Sequence, residues 1–217
     1  MNKKYLKDKW SAITHFIGMM MALFAGIPLL LKAAKEPSVI YLISSAIYIV
    51  SMVLLYFAST LYHSLDISER VNRNLKKFDH MMISVLIAGT YTPVCLITLR
   101  GPVGYTLLIL VWSFALIGII LKAFWVGCPK WFSSVLYIGM GWTCVLAFTR
   151  LLDALSPAAF GWLLAGGLIY TAGGIIYALK LPIFNMKHKN FGSHEIFHLF
   201  VMGGSFCHFI VMYVFIL

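Results

Sequence analysis

Seven apolar stretches follow one another along the 217-residue chain and restrict what it can fold into. Each is close to the roughly 20 helical residues that cross a hydrocarbon core of about 30 Å. In lipid, only helices and closed barrels satisfy their own backbone hydrogen bonds, and the alternating pattern of a barrel is absent. The sequence therefore predicts an all-α membrane protein, a seven-transmembrane helix bundle forming a single domain over residues 1–217. The predicted spans are 11–31, 38–62, 80–99, 103–121, 132–149, 159–179 and 195–217.

The distribution of lysine and arginine predicts how this bundle is oriented. If the helices alternate in direction, thirteen of the 17 basic residues fall on the side of the N-terminus and four on the other side. Because basic loops stay inside the cell, we expect a cytoplasmic N-terminus, an external C-terminus and a location in the cytoplasmic membrane. Basic loops beside anionic lipid also explain the net charge of +10, so no nucleic-acid partner is expected.

Two pairs of polar residues at helical spacing lie at cytoplasmic ends of the predicted spans. Ser59 and His63 end the second span, and His194 and His198 begin the seventh. Residues four apart share a helix face, and a helix that presents two imidazoles in this way can hold one metal ion. The HExxH motif of zinc proteases uses the same spacing. We therefore predict that His63, His194 and His198 meet at the cytoplasmic membrane edge as metal ligands.

Three histidines are a sufficient ligand set for a catalytic zinc site, which keeps a fourth position for water. Asp79 begins the third span on the same side and is predicted either to orient a ligand imidazole or to accept a proton from that water. Ser59, one turn deeper than His63, is predicted to hydrogen-bond the water or a substrate oxygen. Zn²⁺ is the expected cofactor, although imidazole ligands alone also suit other divalent ions.

The remaining histidines have simpler interpretations. His15 and His188 are expected to be solvated side chains at the membrane interface, with His15 close enough to support the metal site. His208 lies about 20 Å deeper than His194 along one helix, so it is expected to hydrogen-bond a neighbouring helix instead of the metal.

The cysteines, glycines and one proline are expected to serve packing. No CxxC pair occurs, so disulfides and a thiolate metal site are not predicted. Paired glycines in the sixth span should let a neighbouring helix approach closely, and Pro93 should kink the third. The cysteines are Cys95, Cys128, Cys144 and Cys207, and the glycines are Gly166, Gly167, Gly173 and Gly174.

Together these motifs resemble one known family. They are S-x-x-x-H at 59–63, F-D-H at 78–80 leading to A-G-T-Y-T-P at 88–93, and S-H-E-I-F-H at 193–198. I-T-H at 13–15 and C-H-F at 207–209 add to the pattern. The combination is similar to the bacterial hemolysin III branch of the progestin and adipoQ receptor (PAQR) family, over essentially the whole chain. The resemblance implies that His63, His194 and His198 hold zinc on the cytoplasmic side, with Asp79 and Ser59 beside the metal water.

The resemblance leaves three kinds of function open. The first is a zinc-dependent hydrolase of lipid amides or esters acting in membrane lipid homeostasis, because the similar adiponectin receptors are linked to ceramide hydrolysis. The second is a cytolytic membrane protein, which a bundle without an excretable amphipathic segment supports poorly. The third is a non-enzymatic sensor of lipid state, in which a structural zinc joins the second and seventh helices. Membrane lipids are the expected partners in each case, and a homo-oligomer is compatible with all three.

Overall fold

The structure is a computed structural model that describes residues 7–179 and 192–217. Within these ranges the chain contains seven helices that are long and apolar enough to cross a membrane, and no strand. They are α1 (Lys9–Ala33), α2 (Val39–Ser64), α3 (Glu69–Leu99), α4 (Gly101–Phe124), α5 (Lys130–Ala154), α6 (Pro157–Leu179) and α7 (Ser193–Ile216). The predicted fold class and the number of spans are thus confirmed. His188 lies outside the described residues.

Helix α3 begins eleven residues before the predicted start of the third span. Hydropathy marked residue 80, whereas α3 begins at Glu69. Ser68 caps the helix, because its hydroxyl accepts a hydrogen bond from the backbone amide of Val71 at 3.3 Å. The added turns are polar, so they are invisible to a hydropathy criterion although they continue the same helix. The basic residues assigned to a loop here, Arg70, Arg73, Lys76 and Lys77, therefore lie on α3.

Three helices change their winding inside the predicted membrane region. The chain becomes π-helical over Val94–Leu99, directly after Pro93, and again over Val211–Ile216. Helix α5 contains a 3₁₀ stretch over Trp142–Ala147. The first π stretch adjoins Pro93, at which the sequence predicted a kink, but the turn before Pro93, which the proline ring crowds, stays α-helical.

The helices pack in a ring that α1 and α7 close. Helix α2 lies between α1 and α3, α4 packs on α3, and α6 packs between α5 and α7. The glycine prediction is confirmed in part: Gly166 faces the His208 ring and Gly173 faces Phe200 of α7, whereas Gly174 faces Ile138 of α5 and a Cβ added at Gly167 would meet nothing within 4 Å. Large apolar side chains such as Phe24 and Leu146 point outward, as expected for surfaces in contact with lipid.

One end of the ring collects the ends of α2, α4 and α6 and the starts of α1, α3, α5 and α7; we call it the N-terminal end of the bundle. A backbone hydrogen bond of 2.9 Å from the Asp8 amide to the His63 carbonyl fastens the start of α1 to the end of α2 here. This contact brings the chain before α1 next to the first predicted metal ligand.

Candidate metal centre

The three histidines predicted as ligands meet at the N-terminal end of the bundle. One ring nitrogen from each of His63, His194 and His198 lies within 4.8 Å of the others, and we call this set the imidazole cluster. His63 comes from the last turn of α2, and the other two come from successive turns of α7. The two elements are 131 residues apart in sequence, so only the packing of α2 and α7 into one ring brings them together.

The spacing inside the imidazole cluster fits a small divalent ion. The Nε2 atoms of His63 and His194 are 3.1 Å apart, and the His194 and His198 ring centres are 4.5 Å apart. Zinc–nitrogen bonds of about 2.0–2.1 Å at tetrahedral angles separate two ligand nitrogens by about 3.4 Å. His63 and His198 are buried and His194 is half-buried, so the cluster lies beneath the bundle surface. The residues present therefore fit a zinc ion.

Helix α1 and the residue before it hold the outward-facing nitrogens of two of these rings. Asp8 Oδ2 lies 3.1 Å from His63 Nδ1, and Thr14 Oγ1 lies 3.2 Å from His198 Nδ1. A partner on Nδ1 fixes the tautomer that leaves Nε2 free for a metal and makes that nitrogen more basic. Carboxylate–histidine pairs of this kind support many zinc sites. The hydrogen bond with His63 also holds the pKa of Asp8 below its usual range.

A second contact joins α1 to α7 at the same level. The Ser11 hydroxyl donates to Glu195 Oε1 at 2.6 Å, and the backbone amide of Gly192 donates to Glu195 Oε2 at 2.8 Å. Glu195 therefore closes the first turn of α7, where the helix dipole favours a carboxylate. Because Glu195 adjoins His194, this contact sets the position from which α7 presents its two histidines.

The sequence prediction for His15 as a solvated interfacial side chain is wrong. His15 is 3% exposed, and its ring stacks on that of His198 with centres 3.6 Å apart and planes inclined by 7°. The edge of the Tyr56 ring packs against it, with centres 5.0 Å apart. Neither ring nitrogen has a hydrogen-bond partner among the described residues. The structure thus places a fourth imidazole directly beside the imidazole cluster.

Ser59 and Asp79, the two residues predicted for the chemistry, line the same cavity as His194 and His198 of the cluster. Both are buried, and the Ser59 hydroxyl has no partner among the described residues. Asp79 Oδ2 lies 3.3 Å from His80 Nδ1. In the described part of the chain, no hydrogen bond links Asp79 to His63, His194 or His198. Asp8 and Thr14, not Asp79, hold the ligand rings in this structure.

That cavity runs from the cluster into the middle of the bundle. Its volume is about 200 Å³, and side chains from all seven helices line it. Asp79 and His194 line one end, and Val94 and His208 line the other; fourteen or fifteen residues of helix separate these ends, or about 21 Å. Half of a bilayer's hydrocarbon core is about 15 Å thick, so the cavity is at least as deep as an acyl chain is long. Its lining is almost entirely apolar.

His208, at the far end of this cavity, behaves as the sequence predicted. Its Nε2 lies 3.3 Å from the Leu163 carbonyl oxygen of the neighbouring helix α6, and its ring meets that of Tyr170 edge-on at 5.3 Å. It takes no part in the imidazole cluster.

Sequence reasoning missed Asp8 and Thr14. One signal for Asp8 was present, because it is the only acidic residue among the first 35. An isolated carboxylate in a basic segment, at the depth of predicted metal ligands, is a candidate partner for an imidazole. Thr14 stands in the I-T-H motif at 13–15, but threonine is common in apolar helices, and only the rotation of α1 about its axis decides what it faces.

Comparisons with known proteins agree with these observations. The family model described as "Haemolysin-III related" matches residues 3–209. The chain is 43% identical to Hemolysin-3 of Bacillus cereus over 196 residues, covering 90% of this chain and 85% of that protein. It is 42% identical to the Hemolysin-3 homolog of Bacillus subtilis (strain 168), covering 90% and 87%. A 58-residue segment, 25% of this chain and 13% of the relative, is 41% identical to an adiponectin receptor protein of Drosophila melanogaster.

Proposed function

We propose that this chain, which belongs to the haemolysin III-related family of multi-pass membrane proteins, is a zinc-dependent hydrolase of membrane lipids. The bond cleaved is an amide or an ester, and the activity serves lipid homeostasis. One observation carries the proposal: His194 and His198 of the imidazole cluster line one end of an apolar cavity that is at least as deep as an acyl chain is long. A lipid with its tail in this cavity presents its first polar group to the cluster.

The side chains around the cluster supply the remaining requirements of hydrolysis. Zn²⁺ held by His63, His194 and His198 would polarise a carbonyl and lower the pKa of a water molecule. Asp79, buried on the same cavity wall, is the group proposed to accept the proton as water attacks the carbonyl carbon. The unpartnered hydroxyl of Ser59 is proposed to hydrogen-bond the carbonyl oxygen or the attacking water. The products are a fatty acid and the amine or alcohol that it had acylated.

The test is metal analysis and turnover of the full chain purified into nanodiscs without chelators. We expect about one zinc per chain, lost in His194→Ala and kept in His208→Gln, since His208 lies outside the cluster. Ceramide and a phospholipid offer an amide and an ester. Asp79→Asn should keep zinc and lose turnover. Asp66→Asn is the matched control, because Asp66 is exposed and hydrogen-bonds only Asn72 in the described structure.

A structural role for zinc is the second candidate, favoured by the contacts of α1. Asp8, Ser11 and Thr14 link the start of α1 to His63 of α2 and to α7, so an ion in the cluster would fasten three helices together. Stoichiometric zinc without turnover of either lipid would overturn the hydrolase and leave this role, suited to a sensor of lipid state. Absence of zinc in the purified wild type would overturn both.

The names of the Bacillus relatives point to a third candidate, cytolysis. Dye release from liposomes by the wild type, compared with His194→Ala, tests it. Release that needs the histidine would make the imidazole cluster part of a lytic mechanism. Equal release by both proteins would assign lysis to a detergent-like effect of the apolar bundle.

A further inference from the structure

A lysine, a cysteine and a serine form a second polar cluster at the N-terminal end of the bundle. Lys122 Nζ donates hydrogen bonds to Cys128 Sγ at 2.8 Å and to Ser133 Oγ at 2.5 Å. Cys128 Sγ and Ser133 Oγ are 3.3 Å apart, so all three groups are in mutual contact. Lys122 belongs to the last turn of α4, Ser133 to the first turns of α5, and Cys128 to the connection between them.

The burial of Lys122 makes this contact unusual. Its side chain is 1% exposed, although an ammonium group loses several kcal/mol of hydration on burial unless an anion or strong acceptors replace the water. Among the described residues, no carboxylate forms an ion pair with it. Its Nζ hydrogen-bonds the thiol and the serine hydroxyl and lies over the face of Tyr137, whose ring centre is 5.7 Å away. A thiolate at Cys128 is therefore the counter-ion that the geometry provides.

The surroundings of Cys128 favour that thiolate. Burial alone raises the pKa of its thiol, but hydrogen bonds from Lys122 and Ser133 and the charges of Lys122 and Lys76 outweigh burial and lower the pKa overall. Cys128 itself is only half-buried, so a small reagent can reach the sulfur. Partly exposed cysteines in positively charged surroundings are the reactive ones.

The depth of Cys128 indicates which reagents it meets. Phe124, Trp125 and Trp131 flank the connection with exposed side chains, and aromatic residues of this kind gather at the level of lipid headgroups. Peroxide dissolved in water and the polar hydroperoxide groups of oxidised lipids both reach this level. The common chemical group is a hydroperoxide, ROOH.

We propose that Cys128 is a peroxide-reactive thiolate and that Lys122 is its buried counter-ion. The sulfur attacks the terminal, hydrogen-bearing oxygen of ROOH, an S–O bond forms, the O–O bond breaks, and the leaving oxygen, which carries R, takes a proton from the Lys122 ammonium. Thiolate, ammonium and ROOH thus become sulfenic acid (Cys–SOH), neutral amine and ROH. Sulfur loses the two electrons that the peroxide gains. This modification is separate from the imidazole cluster and does not depend on the proposed hydrolase.

The thiolate is tested by alkylation of the full chain in nanodiscs with iodoacetamide. The extent of alkylation is followed peptide by peptide from pH 5.5 to 9.5. Cys128 should react with a midpoint below the value of about 8.5 for an ordinary thiol, and Lys122→Met should move the midpoint up. Gly127→Cys combined with Cys128→Ser is the matched control. It puts a thiol on the same connection, at a glycine whose added Cβ meets nothing within 4 Å. At pH 7, Cys128 should react about threefold to tenfold faster than this control, because part of the gain in thiolate is offset by its lower nucleophilicity.

If Lys122→Met fails to fold, Ser133→Ala provides a second test of the thiolate, because it removes one hydrogen-bond donor to the sulfur and leaves the Lys122 ammonium in place. It should raise the midpoint less than the lysine change does. A wild-type midpoint equal to that of the Gly127 control would overturn the thiolate.

Trapping of sulfenic acid with dimedone tests the oxidation and its source. One arm uses hydrogen peroxide in detergent, and the other uses nanodiscs that contain a phospholipid hydroperoxide. If Cys128 is labelled in the first arm alone, the oxidant is aqueous peroxide. If Cys128 is labelled in the second arm, lipid hydroperoxide is an oxidant. Either result supports the proposal. Absence of label in both arms would overturn it, even with a reactive thiolate.

Discussion

Replacing Asp8 with asparagine tests whether the start of α1 orients the metal ligands. The carboxylate accepts a hydrogen bond of 3.1 Å from His63 Nδ1 and fixes the ring that offers Nε2 to the cluster. Loss of such a partner lowers metal affinity about 10- to 100-fold, or about 1.4–2.8 kcal/mol. The Asp8 side chain is 47% exposed, so water takes over part of its role. Asparagine also keeps an acceptor oxygen. We therefore expect the lower limit, about tenfold weaker zinc binding.

The assay is competition for zinc between the purified protein in nanodiscs and a chromophoric chelator at pH 7.5. Asp66→Asn is the control, because it makes the same chemical change at an exposed site that is hydrogen-bonded to Asn72. Equal affinities of the two variants would refute the orienting role of Asp8. A loss as complete as that of His194→Ala would also refute it, because Asp8 would then be a ligand or essential to the fold. Circular dichroism of each variant separates the last two cases.

Three further predictions concern packing and pH. Gly166→Ala should destabilise the bundle by about 1–3 kcal/mol in thermal unfolding, because the added Cβ would lie 2.3 Å from a His208 ring carbon. Gly167→Ala is the control and should not destabilise the bundle, because its added Cβ would meet nothing within 4 Å. Ser205→Ala should lower the free energy of unfolding by about 1–3 kcal/mol, since the hydroxyls of Tyr56 and Tyr170 both lie 2.8 Å from Ser205 Oγ. A smaller loss of stability would mean that a water molecule replaces the Ser205 hydroxyl. Zinc affinity should fall in acid, because protons compete for imidazole nitrogens, and an affinity that stays constant down to the pH at which the bundle unfolds would contradict histidine ligation.

The helices could be predicted from the sequence because each depends on a local property of the chain and not on how distant segments pack. A span needs an apolar stretch of sufficient length, and six of seven predicted spans agree with the structure to within five residues at each end. The exception, α3, extends out of the predicted membrane region as a polar helix, and hydropathy carries no information about such turns. Its start at Glu69 could have been found from Ser68, a favourable capping residue directly before an acidic first turn.

The imidazole cluster could be predicted because its members carry two independent signals. His194 and His198 share a helix face through their spacing, and the distribution of charge places His63 at the same membrane edge. The support around the cluster depends on how helices are rotated against each other, which neither signal determines. A small rotation of α1 would turn His15 towards lipid and Thr14 away from His198. Burial of His15 against the His198 ring is thus a result of tertiary packing alone.

The two candidate roles for zinc make different demands on the same residues. A structural ion needs the imidazole cluster, and Asp8, Ser11 and Thr14 support that cluster without entering the apolar cavity. Hydrolysis also needs polar groups that face the substrate and are not used to hold the fold. Ser59 meets that description, because its buried hydroxyl lines the cavity and binds no described residue, at an energetic cost that a purely structural site would not require. Ser59→Ala should therefore leave zinc binding unchanged, maintain or raise stability, and lower turnover. Lost stability with unchanged turnover would show that Ser59 serves the fold and takes no part in the reaction.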